Sequence, residues 1–282
     1  MKFGIHLSTY TKTWDEDVFQ YIEPSKVYGY DGVEFPLMNP EQFDIKKAKR
    51  RLKDYEMKCT CGTGLNNQRD ISSLDTSIQE NGLHHLRKCI DICNELETDC
   101  LGGVLYAPWG QYMTREEGKE CIQTSLENLA KIGNYAKEKG VVLALEILNR
   151  YETYFLNTVE EGKNYIREIN HPHIKLHFDT FHANIEEKSL KQALVNGNKD
   201  IYHIHFCENN RGVPGTGHIN WQEVKEGIQD IGYNRWIILE NFVMPNCEVG
   251  KDVFIWRSID KSGNEVARKG IKFMKSLLST KE

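Results

Sequence analysis

An apolar run, V141-V-L-A-L-E-I147, contains a glutamate near its end, and a second carboxylate, Glu152, follows five residues after the run. A charged carboxylate in apolar surroundings costs several kcal/mol unless a partner compensates for it. The partner of Glu146 would be either a structural arginine or a bound cation. With a cation, Glu146 would be a metal ligand and, beside a substrate, a base able to remove a proton. Asn149 and Arg150, between the two carboxylates, are interpreted as supports for the turn.

The three apolar runs that follow towards the C-terminus also end in residue types that bind metal ions. Side chains alternate between the two faces of a strand. Parity therefore separates the metal-binding residue of each run from the apolar side chains beside it, and directs these residues to the inside of a closed sheet. In chain order the four residues are Glu146, Asp179, His205 and Glu240.

Three carboxylates and one imidazole directed at one place cannot all remain ionised unaided, because like charges raise each other's pKa. A divalent cation removes this conflict. Oxygen donors with one nitrogen suit Mn²⁺, Co²⁺ or Mg²⁺ better than structural zinc, which prefers cysteine and histidine. The alternative is that each polar strand end is separately capped or paired, and four consecutive strands ending in this way argue against it.

Short apolar runs alternate along the chain with longer amphipathic stretches that have the periodicity of helices. Eight strand–helix units in sequence predict parallel strands joined by right-handed crossovers. The predicted fold is therefore α/β, a closed (β/α)8 TIM barrel that forms a single domain over residues 1–282. A doubly wound open sheet is the alternative, and the missing GxGxxG turn after the first run disfavours it. The predicted strands are 3–7, 32–35, 58–61, 101–106, 141–147, 174–178, 201–206 and 236–239.

Active sites of such barrels lie at the C-terminal ends of the strands, which is where the four metal-binding residues are predicted. His182 follows Asp179 by three residues, at the place where a substrate would lie. His177 and His203 share the inward face one layer below and are predicted to be hydrogen-bonded interior residues. The remaining histidines considered are predicted at the surface, and these are His84, His85, His171 and His173.

Composition excludes several classes of protein. The 39% hydrophobic and 27% charged content is typical of a globular protein, and the net charge of -5 disfavours a nucleic-acid partner. The basic run K46-K-A-K-R-R-L-K53 is interpreted as the solvated face of a helix. No stretch approaches the roughly 20 apolar residues of a membrane span, and no secretory signal is recognised. Eight scattered cysteines predict free thiols in a reducing cytoplasm.

Four blocks of the sequence resemble the signature blocks of the ketose 3-epimerases, the D-tagatose and D-psicose (D-allulose) 3-epimerases of the xylose isomerase-like barrel superfamily. The similarity extends over essentially the whole chain and includes G102-G-V-L-Y-A-P-W109 and V249-G-K-D-V-F-I-W-R257. It implies an isomerase that epimerises free ketoses at C3 and assembles as a homodimer or homotetramer. The four blocks are L145-E-I-L-N-R-Y-E152, D179-T-F-H-A-N-I-E-E187, H205-F-C-E-N-N-R-G-V-P-G-T-G217 and L239-E-N-F242.

The resemblance also implies roles for individual residues. One divalent ion, Mn²⁺ or Co²⁺ with Mg²⁺ as a third candidate, would be bound by the four strand-end residues, and no organic cofactor is expected. The O1–O3 end of the sugar would be held by polar residues, Glu152, His182 and Arg211. Apolar walls against the sugar chain would be formed by Trp14 and Trp109.

Epimerisation beside a ketone requires removal of a weakly acidic proton from C3. A metal would stabilise the resulting enediolate, and Glu146 and Glu240 on opposite faces of C3 would exchange the roles of base and acid. His6 stands where better-known members of the family have an aromatic residue, and E34-F-P-L-M-N39 and C59-T-C-G-T-G64 also differ. These positions would meet the far end of the ketose, so His6 is counted among the substrate-binding residues. The choice among D-tagatose/D-sorbose, D-fructose/D-psicose and pentuloses stays open.

Three other functions fit part of the pattern. An aldose–ketose isomerase of the same superfamily, such as hydroxypyruvate isomerase, would move hydrogen between C1 and C2. The block D179-T-F-H182 also resembles the apurinic endonucleases, but those need further histidines from earlier strands, and an acidic chain disfavours DNA. A non-catalytic sugar-binding barrel would have no need of paired carboxylates.

Overall fold

The structure, a computed structural model, describes residues 1–278. Eight parallel strands form a closed barrel in which each strand bonds its neighbours in the sequence and the eighth bonds the first. The predicted (β/α)8 barrel is therefore confirmed, and the alternative of an open doubly wound sheet is wrong. The strands are β1 (Lys2–His6), β2 (Gly32–Pro36), β3 (Lys58–Leu65), β4 (Cys100–Pro108), β5 (Val142–Glu146), β6 (Ile174–Asp179), β7 (Ile201–Phe206) and β8 (Trp236–Leu239).

Within residues 1–278, ten α-helices accompany these strands. Side chains cap several of their starts; at the start of α5, Thr158 and Glu161 satisfy each other's backbone N–H groups in a capping box. The helices are α1 (Ile22–Tyr28), α2 (Ile45–Asp54), α3 (Thr76–Glu95), α4 (Lys119–Glu138), α5 (Val159–Ile169), α6 (Thr180–Glu186), α7 (Leu190–Gly197), α8 (Trp221–Asp230), α9 (Glu248–Asp252) and α10 (Gly263–Leu278).

The hydrophobic core lies between the barrel and its helices. Leu143 and Leu145 of β5 and Leu176 of β6 are completely buried, as expected for the side chains that alternate with the inward-facing residues. In α2 the buried residues are Ala48 and Leu52. The basic run 46–53 is therefore mainly the solvated face of this helix, as predicted.

Strands β3 and β4 extend beyond their predicted ends, and the extension builds one wall of the barrel mouth. Gly103 has a φ of +116°, and a Cβ there would overlap the carbonyl oxygen of Thr63 on β3, so this close approach requires glycine. The register between the two strands then shifts at Gly64 and Leu65. Beyond the shift, the N–H of Trp109 donates to the carbonyl of Leu65 (3.0 Å). These irregular strand ends bring Trp109 to the mouth of the barrel.

One of the surface histidines was placed wrongly from the sequence. His84 is exposed as predicted, but His85 is only 3% exposed. Its Nδ1 accepts from the Arg69 guanidinium (2.9 Å), and its Nε2 lies 2.8 Å from the Thr63 hydroxyl. Helical periodicity puts His85 on the same face of α3 as the buried Cys89, four residues later, and this face packs against β3. Burial, assisted by the charge of Arg69, lowers the pKa of His85 to about 4.

The other general predictions can be compared with residues 1–278. All eight cysteines are free, and six of them are buried. His171 and His173 are half-buried rather than exposed. No helix of the described chain is both long and apolar enough to cross a membrane.

Candidate active site

The C-terminal ends of β5 to β8 bring Glu146, Asp179, His205 and Glu240 together at the mouth of the barrel. Each offers a carboxylate oxygen or a ring nitrogen, and these four atoms all lie within 4.8 Å of one another. All four residues are buried, and Glu240, the most exposed of them, has only 9% of its surface accessible to solvent. Adjacent parallel strands have adjacent C-terminal ends, which explains why residues distant in the sequence meet here.

The donor set has the composition of a divalent-cation site. Asp179 Oδ2 and His205 Nδ1 are buried in the cluster without a hydrogen-bond partner, which is unusual for buried polar atoms. The other oxygen of Asp179, Oδ1, accepts the backbone N–H of Phe181 (2.6 Å) at the start of α6. This cap leaves Oδ2 free, 3.8 Å from His205 Nδ1. Three carboxylates with one imidazole nitrogen therefore fit a hard or borderline divalent ion.

The two glutamates of the cluster have pKa values displaced in opposite directions in the metal-free chain. Burial raises the pKa of Glu146 well above its ordinary value, and the negative charge of Glu240 raises it further. Burial also opposes ionisation of Glu240, but the positive charges of His205 and Arg211 outweigh it and lower the pKa of Glu240 to about 2. Their surroundings therefore displace the pKa values of the two carboxyls in opposite directions, an arrangement typical of an acid–base pair.

His182, on the first turn of α6, faces Glu146 with a fixed tautomer. Its Nδ1 accepts the backbone N–H of Asn149 (3.2 Å). The proton of the neutral ring therefore lies on Nε2, which is 3.6 Å from Glu146 Oε1. Burial lowers the pKa of His182 and favours the neutral ring. His182 can thus donate a hydrogen bond into the cavity beside Glu146.

Glu152 is held by three donors. The indole N–H of Trp109 donates to Oε2 (2.9 Å), the amide of Asn149 donates to Oε1 (2.9 Å), and Arg211 Nη2 lies 3.4 Å from Oε1. Burial would raise the pKa of Glu152, but the fields of His182 and Arg211 and these hydrogen bonds outweigh it and lower the pKa. Glu152 is therefore a fixed carboxylate, able to accept hydrogen bonds from hydroxyl groups.

Arg211 connects the two groups of carboxylates. Its guanidinium lies 3.8 Å above the ring of Phe181, and Nη1 is 3.4 Å from Glu240 Oε2. Its backbone has a φ of +66°, an uncommon value for a residue with a side chain. The amide of Asn241 holds this conformation by donating to the Arg211 carbonyl (3.0 Å). The guanidinium is therefore fixed between Glu152 and Glu240.

These residues surround a cavity of about 100 Å³. The cavity opens at the mouth of the barrel, with the polar cluster at one side. Away from the cluster the wall is apolar, and it includes Trp14, Met38, Val104, Trp109, Phe242 and Val253.

The sequence left the roles of His6 and segment 249–257 open. His6 lines the cavity, is 7% exposed, and places Nδ1 4.0 Å from Glu240 Oε1. Trp14 donates its indole N–H to Asp252 Oδ2 (2.7 Å), and the Val249 N–H donates to the carbonyl of Lys12 (3.1 Å). The segment is therefore fastened to the loop after β1, beside the cavity.

Comparison with known proteins agrees with this geometry. The family model described as xylose isomerase-like TIM barrel matches residues 22–277. A D-psicose 3-epimerase of Ruminiclostridium cellulolyticum is 32% identical over 269 residues, which span 94% of this chain and 92% of the relative. The chain belongs to the ketose 3-epimerases of this barrel family. The resemblance found in the sequence blocks is thereby confirmed.

Two further ketose 3-epimerases are similar to nearly the full length of this chain. A ketose 3-epimerase of Arthrobacter globiformis is 29% identical and covers 99% of this chain and 97% of its own. The crystal structure of a D-allulose 3-epimerase from Methylomonas sp., in complex with D-allulose, superposes with a TM-score of 0.93 at 28% identity. It covers 98% of this chain and 96% of the other.

The sequence placed the stretch that begins at Glu34 of β2 near the far end of the ketose, but it did not predict that Glu34 contacts the metal-binding cluster of this epimerase-family site. The two oxygens of Glu34 accept from the Nε2 atoms of His203 and His205, both at 2.7 Å. The signal was present, since Glu34 interrupts the apolar run G32-V-E-F35. His203 is thus hydrogen-bonded in the interior, as predicted. His177 is also in the interior as predicted, but the predicted hydrogen bond is wrong: neither ring nitrogen has a hydrogen-bond partner among residues 1–278, and Nδ1 lies 3.9 Å from Glu146 Oε2.

Asn149 and Arg150, the two turn residues that follow Glu146, lie in different environments. Arg150 points outward and forms an ion pair with Glu186 (2.8 Å), so it supports the turn from the surface. Asn149 is buried, and its side-chain Oδ1 accepts the backbone N–H of Tyr151 (2.9 Å). Because Asn149 also bonds His182 and Glu152, it joins the turn to the cavity.

Proposed function

We propose that the protein is a metal-dependent ketose 3-epimerase acting on free ketohexoses or ketopentoses, of the D-tagatose/D-sorbose and D-fructose/D-psicose type. The observation that carries the proposal is the meeting of Glu146 and Glu240 in one cavity. They come from β5 and β8, and their oxygens lie within 4.8 Å of each other and of Asp179 and His205. The named activities of the relatives support the same reaction.

The reaction inverts C3 by removing its proton and returning one to the opposite face. Glu146 and Glu240 act as base and acid, and they exchange these roles when the direction of the reaction reverses. A divalent cation held by the four strand-end residues would supply electrostatic stabilisation of the charge that develops on the substrate oxygens. Burial of the four residues strengthens each of these interactions.

The remaining polar groups orient the sugar. His182 donates from Nε2 beside Glu146, and Glu152 accepts from a hydroxyl near the carbonyl end of the ketose. Arg211 supplies fixed donors between Glu152 and Glu240. Trp14 and Trp109 cover the apolar faces of the sugar chain. These contacts hold C3 against the two carboxylates, which is where positioning lowers the barrier most.

The cavity favours unphosphorylated sugars. Among residues 1–278 no lysine lines it, and its arginine, Arg211, already faces two carboxylates. A phosphate group would need unpaired cationic donors. The apolar wall around Met38 and Val253 would also leave the charged oxygens of a phosphate without hydrogen-bond partners.

Further parts of the proposal concern the ion, the assembly and the compartment. Mn²⁺ or Co²⁺ suits three carboxylates with one imidazole, and Mg²⁺ is a third candidate. Exposed aromatic residues at Tyr151 (66%) and Trp256 (72%) support a homodimer or homotetramer. Free thiols support a cytoplasmic location, and we expect neither a nucleic-acid nor a membrane partner.

An isotope experiment separates this function from the alternative of an aldose–ketose isomerase. The protein, chelated and then reloaded with Mn²⁺, Co²⁺ or Mg²⁺, is incubated in heavy water with a panel of ketoses and aldoses, and NMR locates the deuterium. Deuterium at C3 together with the C3 epimer is expected. Deuterium only at C1 or C2 would instead indicate an isomerase. If no metal and sugar give either deuterium exchange or a new sugar, both enzymes are excluded.

A further inference from the structure

Beneath the metal-binding cluster, Glu34 occupies a position that the proposed reaction does not use. It is completely buried in β2. One oxygen accepts from His205 Nε2 at 2.7 Å, while the other accepts from His203 Nε2 and from the Thr60 hydroxyl, each at 2.7 Å. Three donors on one carboxylate stabilise its ionised form, so this group is a fixed negative charge within the barrel.

Glycines on neighbouring strands lie beside this arrangement. A Cβ on Gly102 of β4 would lie 3.2 Å from His203 Cδ2, closer than an ordinary contact. On β3, a Cβ on Gly62 would lie 3.7 Å from the Glu34 carboxylate, which is an ordinary contact. Gly102 therefore leaves room for the His203 ring, to which the glutamate from β2 reaches across the barrel.

The bond to Glu34 determines which nitrogen of His205 faces the cluster. A neutral imidazole has one N–H and one lone pair. Since Nε2 donates to a carboxylate at 2.7 Å, the lone pair of the neutral ring lies on Nδ1. Nδ1 in turn lies 3.5 Å from Glu240 Oε1 and 3.8 Å from Asp179 Oδ2. A carboxylate that orients a histidine in this way is a common support for metal ligands.

We propose that Glu34 is a positioning residue that fixes the tautomer and orientation of His205, so that Nδ1 is presented to a divalent cation. The inference rests on the proposed metal site. His203 and Thr60 have a different role. They donate to Glu34 Oε2 and thereby keep Oε1 directed at His205. Glu34 thus acts on the cation through His205 and does not touch the substrate's reacting carbon.

The test compares two substitutions that each disturb the Glu34 carboxylate. Glu34→Gln replaces an acceptor oxygen by an amino group, which cannot accept both histidine N–H groups, whereas Thr60→Val removes a donor and leaves the bond to His205. The dissociation constant for Mn²⁺ alone and the melting temperature of the metal-free protein are measured for each. Loss of an orienting carboxylate weakens metal binding roughly 10–100-fold, so Glu34→Gln is expected to show this loss and Thr60→Val to bind Mn²⁺ like the wild type.

Activity gives an independent reading of the same variants. Glu34→Gln should need more Mn²⁺ for half-maximal activity and recover most of its kcat when Mn²⁺ is saturating, because the groups that touch the sugar are unchanged. A purely structural role would lower the melting temperature without this shift. If Glu34→Gln does not fold, Glu34→Asp, which keeps the charge but withdraws it from His205, is measured in its place and should also weaken Mn²⁺ binding.

A ligand variant, Asp179→Asn, separates the two levels of the proposal. If Asp179→Asn loses Mn²⁺ binding and Glu34→Gln binds Mn²⁺ as tightly as Thr60→Val does, the role of Glu34 is refuted and the metal site stands. If Asp179→Asn still binds Mn²⁺ like the wild type, the metal site itself is refuted, and the role of Glu34 with it.

Discussion

The two halves of the barrel differ in the side chains that they contribute to the cavity. Strands β5 to β8 carry, at or beside their last residue, a glutamate, an aspartate, a histidine and a second glutamate, whose donor atoms converge within 4.8 Å. Strands β2 to β4 end in Pro36, Leu65 and Pro108 and supply glycines and apolar side chains to the cavity wall. The potential acid–base and metal-binding groups are therefore concentrated at the ends of four consecutive strands. The first half is left to set the shape of the cavity.

Two polar residues of the first half are exceptions, because their side chains contact residues of the second half. Glu34 of β2 bonds His205 from below, and His6 of β1 approaches Glu240 from the side. Each acts next to a residue of the second half. The comparison therefore predicts that substitutions in β5–β8 reduce the rate of C3 chemistry, whereas most substitutions in β1–β4 change stability or substrate choice.

The largest effect is expected at the acid–base pair. Glu240→Gln removes one of the two groups that exchange protons with C3, and kcat should fall by roughly 10²–10⁴-fold. Steady-state kinetics, with Mn²⁺ content measured on the same sample, provides the check. A variant that keeps the metal and turns over near the wild-type rate would show that Glu240 is not an acid–base group.

A stability defect without a chemical defect is expected in the first half. Gly103→Ala combines left-handed backbone strain of about 1–2 kcal/mol with an overlap against Thr63 costing about 1–3 kcal/mol. Gly140→Ala is the matched control, because Gly140 has a φ of +72° with nothing within 4 Å of a Cβ, so it should show the strain alone. Urea unfolding measures both. Equal losses for the two variants would mean that the close approach of β3 and β4 is not required.

An intermediate loss of kcat/KM is expected at Trp109, which follows β4 and bonds Glu152, a residue that follows β5. Trp109→Phe removes the indole donor to the Glu152 carboxylate, a bond worth about 1.5–3 kcal/mol, and should lower kcat/KM by roughly 10–150-fold. Trp14→Phe removes a donor to the exposed Asp252 instead, and should reduce kcat/KM much less. If the two variants lose activity equally, both tryptophans act only as apolar walls.

The smallest effect is expected at His6. His6→Phe keeps an aromatic ring in the cavity wall but removes its polar atoms. The ratio of kcat/KM between a ketohexose and a ketopentose should change by up to about tenfold, while kcat for the better substrate stays close to the wild type. A fall in kcat as large as that of Glu240→Gln would place His6 in the chemistry rather than in substrate choice.

Local patterns accounted for most of the fold and for the grouping of the four strand-end residues. Alternation along β5 or β6 is enough to show that Glu146 and Asp179 face inward, and the barrel then brings them together. The contact of Glu34 with His205 was not predictable in this way, because it joins β2 to β7 across the barrel. The burial of His85 likewise depends on which face of α3 meets β3. Such contacts between distant elements leave little trace in a short stretch of sequence.

The most direct test of the account is the position of the bound ion. Crystals prepared with Mn²⁺ would be measured at the manganese absorption edge, so that anomalous scattering locates the metal. The account predicts one peak, coordinated by Glu146, Asp179, His205 and Glu240. The absence of a peak there, or a peak instead among His177, His203 and His205 one layer below, would contradict the claim that the four strand ends form the catalytic metal site.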